Sequence, residues 1–271
     1  NIPGTTDLQI SAYRFAWRKR SLDAGDSQMD YSSFIELVNN VSPASNPNSD
    51  PLENVAGFYS IANVEQWMRI FAVQHAVGNW DSYGHRRGKN AFTYRPDGGR
   101  FDQWTWDIDF TLGIGSDGTG GNLWDDSEGS DRLAPMRGTD FNVNPFSEGV
   151  PAIRRAYLRA WQDLIDGPWN NAVMNPILDA KAAAFAANNV SYDAGQLNTI
   201  KNYISARRST LQGQLNQVAA DFAVNGPTTI VSSNSNLLLL TGTAPVKVKD
   251  IMVNGVIVPL QWLDTTGWQI P

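Results

Sequence analysis

The sequence predicts an α+β fold, a helical first part followed by a small all-β module, and three observations carry that prediction. Apolar stripes recur at helical period over residues 64–75, 153–164 and 197–222. The turn former Pro96-Asp97-Gly98-Gly99 separates two short strand-like runs. Beyond residue 226 the pattern changes to short β runs around an Asn254-Gly255 turn. With 271 residues, 42% hydrophobic and 18% charged, the chain has the composition of a globular protein with a sizeable core. We divide it into a domain over residues 1–225 and a β-rich accessory module over residues 226–271.

Along the chain, residues 8–18 alternate loosely and predict an edge-like strand. Asp30 is placed to cap a short helix over Tyr31–Asn39, and Pro43–Leu52, rich in Pro, Asn and Ser, predicts a surface loop. Asn63 is placed to cap a stronger helix in which Val64, Trp67, Met68, Phe71 and His75 share one face; Gly78 stops it. Ala91–Tyr94 and Phe101–Asp107 predict a hairpin, and Gly113–Gly149 a long irregular segment. Helices follow over Ile153–Leu164, from Asn175-Pro176, and over Leu197–Phe222.

The charge and residue inventory narrows the function. Acidic residues exceed basic ones, 27 against 21, which argues against nucleic acid and anionic membrane as partners. No apolar run reaches the roughly 20 residues of a membrane helix. With Cys 0 and His 2, thiolate chemistry and imidazole-rich metal sites are excluded. Catalysis would rest on carboxylates, amides and hydroxyls. The Asn1-Ile2-Pro3-Gly4 start and the Trp268-Gln269-Ile270-Pro271 end suggest a piece of something longer, in contact with an upstream segment. The acidic, cysteine-free composition suggests an extracellular or cell-surface setting.

The informative segment is Asn79-Trp80-Asp81, then Lys89-Asn90, then Trp106-Asp107-Ile108-Asp109-Phe110-Thr111-Leu112-Gly113. A helix, a polar loop with Asp and Asn, a hairpin and an Asp-bearing strand end follow in that order. Phosphoryl transfer needs a carboxylate beside the attacking hydroxyl and hard oxygen ligands for Mg²⁺, and protein kinases present them in this sequence. The step from Asp81 to Asn90 is nine positions, against five in ordinary kinases. On a persisting strand, Asp107 and Asp109 would share one face and favour a cation between them.

The run from Phe71 to Gly113, with Gly78-Asn79-Trp80-Asp81-Ser82-Tyr83, Gly88-Lys89-Asn90 and Trp106-Asp107-Ile108-Asp109-Phe110, resembles the CotH family of spore-coat protein kinases, more weakly over about residues 10–222. The resemblance implies an atypical protein-kinase-like helical lobe with a catalytic-loop hairpin. It implies ATP and Mg²⁺ or Mn²⁺ as cofactors and a protein substrate phosphorylated on Ser or Thr. It also implies Asp81 as the catalytic residue, Asn90 and Asp107 as metal ligands, Asp109 as a second acidic contact and Lys89 as a phosphate contact. The Gly-rich loop and Lys–Glu pair of an ordinary kinase have no counterpart before Asp81, where Lys19 is the only lysine. A non-catalytic surface or adhesion protein that retains the scaffold is the alternative.

Other features have plainer readings. Gly113-Ile114-Gly115-Ser116-Asp117-Gly118 matches GxGxxG, yet no helical pattern opens after it. The acidic stretch Asp117–Asp131 lacks EF-hand spacing and reads as an activation-segment-like loop. His75 reads as a core histidine and His85 as solvent-exposed. Trp67, Trp80, Trp104, Trp106 and Trp161 could form a sugar platform, with core packing as the default. Tyr13–Arg20 reads as a solvated basic edge.

Overall fold

A computed structural model describes residues 14–15, 17–22, 24–41, 51–83, 85, 89–123, 151–226 and 239–270. The described residues form six α-helices and eight short strands, a mixed α+β architecture. The helices are α1 (Ser32–Val41), α2 (Pro51–Ile61), α3 (Val64–Val77), α4 (Pro151–Asp166), α5 (Asn171–Ala187) and α6 (Ala194–Leu215). Two compact units result: Asn1–Asn63 with Arg95–Asp102, and Val64–Tyr94 with Gln103–Pro271.

In the first unit α1 packs against α2. Asp30 opens α1 as expected, its Oδ1 accepting from Ser32 N at 2.9 Å. Of the predicted strand over residues 8–18, residues 14 and 15 are helical, because the Tyr13–Arg20 stretch has no alternating apolar face; residues 8–13 lie outside the described residues. The predicted loop Pro43–Leu52 overlaps α2, which begins at Pro51. Proline's fixed φ suits a first helical position, so this Pro starts a helix where it was read as loop. Residues 43–50 lie outside the described residues. Phe58, Ile61, Ala62 and Phe101 are buried together with Tyr31 and Leu37. Phe101 is stitched to the end of α2 by Phe101 N→Ile61 O at 2.8 Å and Asn63 N→Phe101 O at 2.9 Å. The Asn63 side-chain amide donates to Asp102 Oδ1 at 3.2 Å.

The second unit is built on α3 against α4. The predicted stripe holds: Val64, Trp67, Met68, Phe71 and His75 are all buried. They face a helix that buries Ile153, Ala156, Tyr157, Ala160 and Trp161. Fully burying each large apolar side chain contributes about 1.5–3 kcal/mol. The His75 ring meets Tyr157 and Trp161 edge-on, at 6.4 and 6.3 Å between centroids. α6 packs on α4 and α5. α5 starts earlier than Asn175-Pro176 suggested: Asn170 Oδ1 accepts from Val173 N at 3.0 Å, and Pro176 lies inside the helix. An Asn cap one turn upstream fixes the start, and Pro is accommodated just beyond it. α6 stops at Leu215, short of the predicted Phe222, and continues as a single 3₁₀ turn, Asn216–Val218.

Strands β1 (Ala91–Tyr94) and β2 (Asp102–Thr105) form the predicted hairpin. Four antiparallel strands follow in the order β3 (Ala223–Asn225), β4 (Leu240–Thr243), β8 (Gly267–Ile270) and β7 (Gln261–Trp262). A further pair, β5 (Met252–Val253) and β6 (Val256–Ile257), turns at Asn254-Gly255, both residues at positive φ, 52° and 81°. Ala244, Ile251, Trp268 and Ile270 form the core of this β layer. Arg155 reaches it from α4: its guanidinium donates to Pro245 O at 2.7 Å, Val248 O at 2.8 Å, Ala244 O at 3.3 Å and also to Thr265 O. It stacks 3.4 Å from the Trp262 ring centre. Burial first, then repulsion from Arg159, pulls this group down to about 9, with Asp264 acting the other way; it remains cationic at neutral pH.

Candidate active site

All five residues singled out in the sequence, Asp81, Lys89, Asn90, Asp107 and Asp109, lie in the second unit. The site begins where α3 ends. Gly78 adopts φ +70°, and a Cβ there would meet the Tyr203 hydroxyl at 2.4 Å and Asp117 O at 3.1 Å, so only glycine turns the chain here. Asn79 follows, fully buried, with its amide donating to Gln74 Oε1 at 3.1 Å and to Asp107 O at 3.4 Å. Ser82 folds back on the same residue, its N and Oγ donating to Asn79 O at 3.2 and 2.7 Å. This tight turn presents Asp81, which is itself only 8% exposed.

Asp81, Lys89 and Asn90 come together. The Asn90 amide donates to Asp81 Oδ2 at 3.0 Å, and Lys89 Nζ pairs with Oδ1 at 2.8 Å. Tyr83 N→Lys89 O at 2.6 Å closes the loop between them. Asn90 sits at φ +57°, a conformation that Asn adopts more readily than most residues. Burial pushes the neighbouring Tyr83 phenol up to about 12, so it stays protonated across the physiological range.

The acidic pair is arranged otherwise than expected. Trp106 N→Asn90 O at 3.1 Å extends the hairpin by one contact, but β2 ends at Thr105 and Asp107 turns into the left-handed region at φ +54°. The strand does not persist, so the alternation that would have put Asp107 and Asp109 on one face is lost. Both are exposed. Asp109 Oδ1 accepts from Phe110 N at 3.1 Å, a local turn. The Asn79 side-chain amide donates to the Asp107 carbonyl, and the Trp106 N→Asn90 O bond sets the strand end beside Asn90. Among the described residues no group of three or more acidic or histidine side chains forms a ready metal cage. The donor chemistry of Asn90, Asp107 and Asp109 is nevertheless all hard oxygen. That suits a cation held by one or two carboxylates together with phosphate and water.

Sequence reasoning missed what braces this loop. His85, expected in solvent, is 3% exposed; its Nε2 pairs with Asp117 Oδ2 at 2.7 Å, and its ring lies 4.0 Å from that of His75. Asp117 N also donates to Gly78 O at 3.0 Å. Arg207 of α6, 2% exposed, donates to Thr119 O at 3.1 Å, His75 O at 3.1 Å and also to Gly121 O. The end of α3, the Asp81 loop and the segment after Gly113 are thereby fixed to one another. No helix opens between Gly113 and Leu123, so the GxGxxG match stays without its structural context. Residues 124–149 of the long irregular segment, and with them residues 124–131 of the acidic stretch, lie outside the described residues. Trp67 and Trp161 are core residues, whereas Trp104 and Trp106 are 56% and 58% exposed, against the core-packing default. Trp104 points away from the face of β2 that buries Gln103, and Trp106 follows the end of that strand, which explains the difference.

No curated protein and no solved structure matches the chain. Residues 10–222 match the family described as CotH kinase protein, most of the chain and all of the site, and the chain therefore belongs to the CotH kinase family.

Proposed function

We propose that this chain transfers the γ-phosphoryl group of ATP to a Ser or Thr hydroxyl of a protein, with Mg²⁺ or Mn²⁺ as cofactor, on a kinase-like lobe formed by the second unit. The observation that carries the reading is the Asp81 carboxylate, held by Asn90 at 3.0 Å and Lys89 at 2.8 Å beside the Asp107 strand end. In this reading Asp81 accepts the proton of the acceptor hydroxyl as its oxygen bonds to the γ-phosphorus. The bond from that phosphorus to the β–γ bridging oxygen breaks, and ADP leaves. Asn90 holds Asp81 through Nδ2, which leaves Oδ1 as its metal-binding atom. Asp107 and Asp109 would supply the remaining protein oxygens, and the cation would neutralise charge on the phosphates. Lys89, 57% exposed at its side chain, can exchange its Asp81 contact for a phosphate oxygen.

A thermal-shift titration with Mg-ATP, run beside a phosphotransfer assay on a Ser/Thr-containing protein, tests this. Nucleotide at about 100 times its dissociation constant should stabilise the protein by roughly 2.7 kcal/mol. Asp107→Ala should remove the shift. Asp81→Asn should keep the shift and lose transfer. Neither shift nor transfer in the wild-type protein would overturn the reading.

A further inference from the structure

The β1–β2 hairpin displays an aromatic face whose rings the phosphotransfer reading does not use, although the carboxylates that follow them, Asp107 and Asp109, are the ones that reading gives to a cation. Tyr94 on β1 and Trp104 on β2 are 55% and 56% exposed, and Trp106, one residue past the end of β2, is 58% exposed. Phe92 meets Trp106 edge-on at 5.1 Å, which puts the β1 and β2 rings on one side of the ribbon. Within β2, alternation sets Trp104 opposite the buried Gln103, and the Trp106 N→Asn90 O bond carries the pairing one residue further, to Trp106. That strand is held rigid from behind: Gln103 N donates to Gln66 Oε1 at 3.0 Å, and the Gln66 amide donates back to Gln103 O. Such rings exposed together on a rigid support mark an interaction site rather than scattered surface apolar residues.

The surrounding chemistry selects the ligand. The exposed charged residues that continue the chain from Trp106 are carboxylates, Asp107 and Asp109. At this end of the face they disfavour nucleic acid, anionic lipid and acidic glycans; of the described exposed cations nearby in sequence, Lys89 is paired with Asp81 and Arg100 lies in the hairpin loop. Carboxylates accept hydrogen bonds and cannot donate, so a proline-rich peptide, poor in N–H groups, leaves them without donors. A neutral sugar satisfies both parts: its C–H faces lie on the rings and its hydroxyls donate to the carboxylates. We propose that the aromatic face of the β1–β2 hairpin is a binding platform for a neutral, hydroxyl-rich carbohydrate chain.

Isothermal titration on the full chain in the absence of divalent metal tests this independently of phosphotransfer. The neutral probes are cellohexaose, xylohexaose and mannohexaose. Polygalacturonate, a proline-rich peptide and a Lys/Arg-rich peptide serve as comparisons. At least one neutral oligosaccharide should bind, and Trp104→Ala or Trp106→Ala should each weaken it about tenfold. Trp104→Tyr should retain most of the affinity. Tyr192→Ala, which removes an exposed aromatic outside the hairpin, should change nothing. The thermal midpoints of all four variants should match wild type, since these side chains are exposed. The proposal fails if no neutral probe binds, if both Trp→Ala variants bind as wild type, or if the anionic glycan or a peptide binds through these tryptophans instead.

Discussion

Asn90 and Asp81, nine positions apart, are joined by a direct hydrogen bond from the Asn90 amide to Asp81 Oδ2 at 3.0 Å. Asn90 also turns the chain at φ +57°, so one residue does two jobs, orienting a carboxylate and supplying a left-handed backbone. Asn90→Ala loses a hydrogen bond worth about 1 kcal/mol and adds left-handed strain of about 1–2 kcal/mol. Urea unfolding should therefore show about 2 kcal/mol of destabilisation. Asn90→Gly, which relieves the strain but not the lost bond, should cost about half as much. Equal losses in the two variants would show that the backbone conformation carries none of the effect.

Arg207 is the cation that ties α6 to the end of α3 and to the segment after Gly113, through the carbonyls of His75, Thr119 and Gly121. Replacing it by Met removes its charged hydrogen bonds to these three carbonyls, each worth on the order of 1.5–3 kcal/mol, although His75 O and Gly121 O keep donors in Gly78 N and the Gln214 amide. Denaturant unfolding of Arg207→Met should show about 3 kcal/mol or more of lost stability, and hydrogen exchange at residues 119–121 should accelerate. Arg207→Lys should recover little, because one ammonium cannot span the directions a planar guanidinium fork reaches. Full recovery by Lys would mean that charge, not geometry, is what the site requires.

How far the site could be read from the sequence follows from the range of each signal. The α3 stripe, its Gly78 stop and the hairpin turn are periodic or local, and they were legible. Asp81 and Asn90 could be singled out from the order of oxygen-bearing side chains and Lys89 from the family resemblance, and the structure brings the three together. The left-handed turn at Asp107 was not, because Trp-Asp-Ile-Asp reads equally as strand. His85–Asp117, the Asn79 hub and the reach of Arg155 and Arg207 join residues 28 to 132 positions apart, and no local pattern encodes such pairings. The outward side of Trp104 and Trp106 was likewise hidden. Alternation shows that Gln103 and Trp104 face opposite ways, and composition favours the wrong one of them for burial.

Gly242 in β4 has no room for a side chain. A Cβ there would stand 2.0 Å from Ala223 O and 2.4 Å from the Trp268 ring, on the strand paired to β3 and β8 at once. Neither neighbour can retreat: one is backbone, and the other fills the β-layer core at 1% exposure. Gly242→Ala should therefore separate β3 from β4 and destabilise by about 2–3 kcal/mol. Hydrogen exchange at Ala223–Asn225 and the thermal midpoint report it. A variant that keeps both would mean that the β layer shifts to accept the methyl group.

Asp264 sets an acid limit on the turn between β7 and β8. Desolvation pushes its carboxyl up, but the N–H groups of Gly267 and Thr266, both 2.7 Å from Oδ1, together with the Thr266 hydroxyl and the charge of Arg154, outweigh it and hold the group below its ordinary value. A carboxyl with a lowered folded value binds its proton more readily in the unfolded chain. Its contribution to stability is therefore complete above the ordinary carboxylate value of about 3.9 and is lost as pH falls through the lower, folded value. Asp264→Asn keeps an acceptor oxygen for the turn but removes the titration. In paired urea unfolding, wild type should exceed the variant at neutral pH, with a gap that narrows only below about pH 4 and closes at lower pH. A gap of constant size down to pH 3 would assign the Asp264 contribution to hydrogen-bond geometry alone, with no share from its charge.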